Sequence, residues 1–151
     1  TGLPQKETEM IVAHELGHAK HDDVLVGTVL GALGSAFGVG LLGLVLTRRR
    51  LLERADVDGL GDPRVVPLLL ALAVVGSLLA SPVQNTISRA IEARADRSAL
   101  QATRDPDTFI AMQKQLALRS LSDPTPPAWS QFWFGSHPTT LQRIGMAEAV
   151  R

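Results

Sequence analysis

Two long uncharged runs dominate the pattern of apolar and polar positions. The first, Val24 to Thr47, lies between the Asp22-Asp23 pair and the Arg48-Arg49-Arg50 triplet. At a helical rise of ~1.5 Å per residue it can cover a hydrocarbon layer of ~30 Å. The second extends from Val65 to Ser88 and is most apolar at Val66 to Leu79. Pro67 fits the first turn of a helix there, where its missing N–H costs little. Between the runs, Arg48 to Arg64 holds nearly all the charge of the middle of the chain, together with the turn formers Gly59, Gly61 and Pro63. The pattern predicts a transmembrane helical hairpin with spans at 24–47 and 65–84. Two helices buried in a soluble bundle would also be apolar all round. The length criterion favours the membrane.

Small residues recur every four positions in the first run, as Gly27, Gly31 and Ser35 and as Ala32, Ala36 and Gly40, a spacing that lets another helix approach closely in lipid. Beyond the second run, Ile91, Leu100, Phe109, Ile110, Met112, Leu116 and Leu118 fall at roughly helical intervals. They predict amphipathic helices over 89–120, broken near Asp105-Pro106. The passage Ser122 to Pro127 reads as a loop. The aromatic cluster Trp129, Phe132, Trp133 and Phe134 suits core packing or an interfacial anchor better than substrate contact. Thr139 or Thr140 can cap a last helix, Leu141 to Val150. The fold class expected is mainly α: a single domain over 1–151, embedded in a membrane.

Composition narrows the chemistry. The 15 basic and 15 acidic residues cancel, and no basic block offers a nucleic-acid footprint. No cysteine occurs, which excludes disulfides, thiolate metal sites and cysteine nucleophiles. Any metal must be held by His, Asp or Glu. No secretory leader precedes the first apolar run in the sequence as given, since His14 and His18 come before it.

The segment His14-Glu15-Leu16-Gly17-His18 supplies such ligands. On a helix, residues at i and i+4 project from one face, so both imidazoles can share one tetrahedral zinc ion. Glu15 lies beside them, placed to act as general base on zinc-bound water. Glu7, Thr8 and Glu9 suit the helix's first turn, and Ile11, Val12, Ala13 and Leu16 give it apolar surroundings. Gly17 is read as leaving room near the metal. A catalytic zinc site needs a third protein ligand and one open position. His21 is nearest in sequence but is directed away from the centre that His14 and His18 share, which suits an outer or interfacial role. Glu92 is the stronger candidate, because Glu92-Ala93-Arg94-Ala95-Asp96 sets two carboxylates one turn apart on a second helix. Glu92 would bind zinc, and Asp96 would accept the outer N–H of His14 or His18. The alternative for Glu92 is an exposed carboxylate paired with Arg89. Two spans separate His18 from Glu92, and an even number of crossings returns the chain to its starting side.

The segments HELGH, SRAIEARAD (Ser88 to Asp96) and SHPTTLQRI (Ser136 to Ile144), in that order, resemble the membrane-embedded CAAX prenyl endopeptidase and HtpX family of zinc metallopeptidases. The resemblance covers most of the chain. It implies His14, His18 and Glu92 as ligands of one zinc ion, Glu15 as base and Asp96 behind a ligand histidine. It also implies His137, the histidine of the late HP motif, as a catalytic group that stabilises the oxyanion or contacts substrate. No tyrosine is present to donate that hydrogen bond, although a helix-capping role for His137 is the alternative. Family members carry upstream membrane helices and an edge strand that holds the peptide. The resemblance therefore implies that this chain is the catalytic part of a larger membrane protein, with its centre on the cytoplasmic side.

Basic residues flank both ends of the spans about equally, so charge does not orient the hairpin. The excess of Arg over Lys, with abundant Ala, Leu and Gly, suggests a bacterial cell membrane. The function expected is a zinc-dependent endopeptidase acting on peptide or protein substrates in or near the bilayer. The competing reading is a zinc-stabilised membrane scaffold or sensor. Glu15 argues against it, because a structural site has no use for a base.

Overall fold

The computed structural model describes residues 4–151. Among these residues seven helices follow in order: α1 (Gln5–Lys20), α2 (Asp23–Leu46), α3 (Arg49–Arg54), α4 (Val65–Thr103), α5 (Pro106–Ser120), α6 (Ala128–Phe134) and α7 (Thr140–Glu148). No strand occurs among the described residues, so the fold is mainly α as the patterning predicts. The chain divides into two compact units, Leu25–Ser81 and the remainder on either side of it.

Within Leu25–Ser81, α2 and the first part of α4 are long and apolar enough to cross a membrane. Leu33, Phe37, Val39, Leu70 and Leu79 are all exposed, as lipid-facing side chains would be. The two helices are joined through a small cluster at their linker end, where Leu46, Val57 and Val65 are buried against Leu42, Leu52, Leu68, Leu69 and Leu72. In the linker itself Arg64 binds Asp56, Asp58 and Asp62, and its guanidinium draws the Asp62 carboxyl down to about 2. The small-residue stripe of α2 stands open instead of packed: a Cβ added at Gly27, Gly31 or Gly40 would meet nothing within 4 Å.

Where separate helices are expected after the second span, one helix runs from Val65 to Thr103 and contains Pro82. A proline normally breaks a helix because it removes the bond to the carbonyl four residues back. Here the Leu78 carbonyl accepts from the Ser81 hydroxyl at 3.0 Å, and the Pro82 carbonyl accepts from Thr86 at 2.7 Å. The freed backbone group is thereby satisfied, and the helix continues.

The other unit has its own core: Met10 from α1, Ala99 and Leu100 from α4, Phe109 and Met112 from α5, and Ala147 from α7. Leu116 and Leu118, expected on the buried face of α5, are instead 43% and 76% exposed. Cap chemistry sets the helix starts. Asp105 accepts from the Thr108 N–H at 3.0 Å with Pro106 in the first turn, while Thr139 and Gln142 form a reciprocal capping box that starts α7. Lys6 reaches the same Asp105 from α1 at 3.1 Å.

Candidate metal centre

His14 and His18 turn their Nε2 atoms toward one another, 3.1 Å apart, with the rings nearly perpendicular. Glu92 faces both from α4: Oε2 lies 3.6 Å from His14 Nε2 and Oε1 lies 3.6 Å from His18 Nε2. These three groups form a set whose ligand atoms all lie within 4.8 Å of one another. Ligand atoms about 2.0–2.1 Å from a common ion at tetrahedral angles sit ~3.3 Å apart, so the spacing suits a single small divalent cation. Arg89 does not pair with Glu92, because its guanidinium is engaged by backbone carbonyls and Thr86.

The outer nitrogens of both imidazoles are anchored. His14 Nδ1 lies 3.0 Å from Asp96 Oδ1, and His18 Nδ1 lies 2.9 Å from Asp23 Oδ2. A carboxylate on Nδ1 keeps the proton there and leaves the Nε2 lone pair for a metal, which is how histidine ligands are usually oriented. Both carboxylates are themselves held. Asp23 pairs with Arg94, and fully buried Asp96 receives Arg143 from α7 through Nε at 2.7 Å and Nη2 at 2.5 Å. Burial by itself would raise the Asp96 carboxyl. Hydrogen bonds from His14 and Arg143 outweigh it and leave Asp96, which lies beyond the spanning part of α4, below the ordinary carboxylate range.

That arrangement carries a prediction. In Asp96→Ala the Arg143 guanidinium, only 15% exposed, loses its partner together with the His14 ring. Breaking a buried pair in this way costs about 3–5 kcal/mol, and losing the carboxylate behind a ligand histidine weakens metal affinity by about 10–100-fold. Thermal denaturation and metal titration of the variant should show both losses. The sign with pH follows from the depressed native pKa: the Asp96 contribution is present above the unfolded carboxylate value and disappears as pH falls through the folded one.

Asp23, Arg94 and Arg143 were not assigned a role from the sequence. Asp23 is five residues after His18, which on a continuous helix would be ~140° round the axis. The helix ends first. Asp22 adopts a left-handed conformation (φ 54°), and the chain turns so that buried Asp23 comes back against His18. Gly17 also has a different function from the one expected. A Cβ there would meet Ser98 Cβ at 3.1 Å and the Ala95 backbone at 3.3 Å, so glycine allows α1 and α4 to touch rather than making space at the metal. His21 lies outside the three-residue set, with Nε2 3.3 Å from Ser98 Oγ.

Glu15 is exposed on α1 beside His14. His137, in the turn before α7, places Nδ1 3.0 Å from Glu92 Oε2 with its ring 60% exposed. The turn is held from α4. Asn85 donates to the Trp133 carbonyl at 2.6 Å, and Arg89 donates to the carbonyls of Gln131 and Gly135 at the end of α6. None of α6 is buried: Trp129, Phe132 and Phe134 are more than half exposed. Core packing, one of the two settings expected for this aromatic cluster, is therefore not the role of these three rings, while Trp133 is half-buried.

The model of Peptidase family M48 matches residues 3–151. The uncharacterized metalloprotease YhfN of Bacillus subtilis is 31% identical over 97% of this chain and 35% of its own length. A protease HtpX homolog of Streptococcus uberis is 30% identical over 94% of this chain and 54% of its own, and one from Sulfurovum is 28% identical over 99% and 57%. The chain thus spans between about a third and somewhat over half of these relatives. With a match that runs almost from end to end, and with relatives named as metalloprotease and protease, the chain belongs to Peptidase family M48.

Proposed function

We propose that this chain is the catalytic part of a membrane-anchored zinc endopeptidase whose site faces the cytoplasm. The observation that carries the reading is the convergence of His14 Nε2, His18 Nε2 and the Glu92 carboxylate, with Glu15 on the same helix as the two histidines. Two nitrogens and a carboxylate form a borderline-hard donor set of the kind that suits zinc, and three protein ligands leave a position open for chemistry. Zinc bound there would supply Lewis acidity, lowering the pKa of a water molecule and polarising the scissile carbonyl.

The chain's own residues supply the rest. Glu15 takes a proton from the attacking water as its oxygen bonds to the carbonyl carbon, then passes that proton to the leaving amine as the C–N bond breaks. His14 and His18 would hold the ion through Nε2, with Asp96 and Asp23 beside each Nδ1 to orient the rings. His137, beside Glu92 and largely exposed, is positioned to donate to the developing oxyanion or to the bound peptide. Membrane anchoring is supported by the two apolar helices, and an even number of crossings keeps His18 and Glu92 on one side. The cytoplasmic side rests on the family resemblance.

The test is metal dependence in the reconstituted protein with an unfolded casein as substrate. Chelation is expected to abolish cleavage, and added zinc to restore it. Undiminished cleavage by protein whose metal content has been stripped and measured would overturn the reading.

A further inference from the structure

Next to the candidate centre lies a cleft of about 370 Å³, walled by α5, the 122–126 loop and the turn between α6 and α7. His137 and Arg143 line it, and the same two residues touch Glu92 and Asp96, so an occupant of the cleft would sit beside the ligand set. Its volume is at the small end of ligand pockets, which suits a short stretch of peptide.

Gln113 supplies the second observation. It lines this cleft and is only 4% exposed, and its amide nitrogen has no hydrogen-bond partner. The other glutamine of the cleft differs, because Gln131 donates its amide to the His137 carbonyl at 2.7 Å. A buried amide donor without an acceptor is destabilising, and proteins keep very few. The nitrogen itself is sealed, so a carbonyl oxygen brought by an occupant would relieve it as the Gln113 side chain turns into the cleft. The charges narrow the occupant further. Arg143 is committed to Asp96, and the remaining carboxylate of the lining, Asp123, is exposed at the rim, so no free cation awaits an acidic group. Leu116, Pro126 and Phe134 contribute apolar surface.

We propose that this cleft is a specificity subsite for one uncharged substrate side chain next to the scissile bond, with Gln113 donating to its carbonyl oxygen. The subsite takes glutamine in preference to leucine, and either in preference to glutamate. The assignment rests on the peptidase reading above and adds to it the residue class selected.

The test uses the reconstituted protein and quenched decapeptides that differ at one position at a time, carrying Gln, Leu, Glu or Lys. At one position flanking the cleaved bond, Gln is expected to exceed Leu in kcat/KM by about tenfold, as one hydrogen bond allows, with Glu the poorest. Gln113→Leu should remove the Gln-over-Leu difference while leaving thermal stability undiminished, since it deletes an unpaired buried amide. Ser120→Trp, at an exposed position of the lining, should raise KM for every peptide and leave kcat in place; it tests the cleft even if the Gln113 variant does not fold. Binding of the labelled decapeptides to Glu15→Gln protein, read by fluorescence anisotropy, separates recognition from cleavage. Normal cleavage with a flat profile at every position, or a profile unchanged in both variants, overturns the subsite and leaves the peptidase reading standing. Selective binding without cleavage by wild type does the reverse. Neither binding nor cleavage overturns both.

Discussion

Glu15→Gln is expected to leave metal content and folding at wild-type levels while slowing peptide cleavage by about 10²–10⁴-fold, the usual contribution of a general base. Glu15 is exposed on α1 and is not among the three groups whose donor atoms converge, so its loss leaves the ligand set intact. Glutamine keeps the shape and the hydrogen-bonding oxygen but cannot accept the proton of the attacking water. The measurement pairs metal analysis with single-turnover cleavage of a peptide, so that binding and chemistry are read separately. Native-rate cleavage by Glu15→Gln would remove the mechanism. If metal content fell together with the rate, Glu15 would be holding the ion and not acting as the base.

Glu92→Ala should have the larger effect on the ion itself. With His14 and His18 alone, two protein ligands remain where a catalytic zinc site has three. The fall in affinity should exceed the about 10–100-fold expected on losing a carboxylate behind a ligand histidine, so Glu92→Ala should bind more weakly than Asp96→Ala. Isothermal titration or competition with a chromophoric chelator would rank wild type, Asp96→Ala and Glu92→Ala in that order. Zinc affinity unchanged in Glu92→Ala would exclude the third ligand. The loss also reaches His137, whose Nδ1 has the Glu92 carboxylate 3.0 Å away.

Some of this architecture was legible from runs of neighbouring residues. Spans at 24–47 and 65–84 follow from uninterrupted apolar length, and the observed helices contain them almost entirely. The break at Asp105-Pro106 and the cap at Thr139 follow from side chains that satisfy the first free N–H groups of a helix. The i, i+4 spacings of His14 with His18 and of Glu92 with Asp96 put each pair on one helical face before any tertiary contact is considered. Other expectations were not met. Where a second span followed by separate helices is expected, α4 runs on through Pro82, because Ser81 takes over the carbonyl that the proline leaves free. Leu116 and Leu118 keep helical spacing, yet the core closes over Phe109 and Met112 instead.

The sequence by itself therefore determined the apolar spans, the caps that start α5 and α7, and the residue types and spacings able to hold a metal. Each depends on side chains a turn or less apart, or on the length of a run. Only the tertiary structure decided that Asp96 serves His14 while Asp23 serves His18, that Arg143 and Arg94 hold those two carboxylates, and that Gly17 is a point of close approach between α1 and α4. It also revealed the Gln113 cleft beside His137. These pairings join residues as far apart in the chain as His14 and Asp96, or Gly17 and Ser98, or turn on a single left-handed residue such as Asp22. A periodicity of 3.6 residues carries no information about which helix faces which, because that choice is made by packing and by the pairing of buried charges.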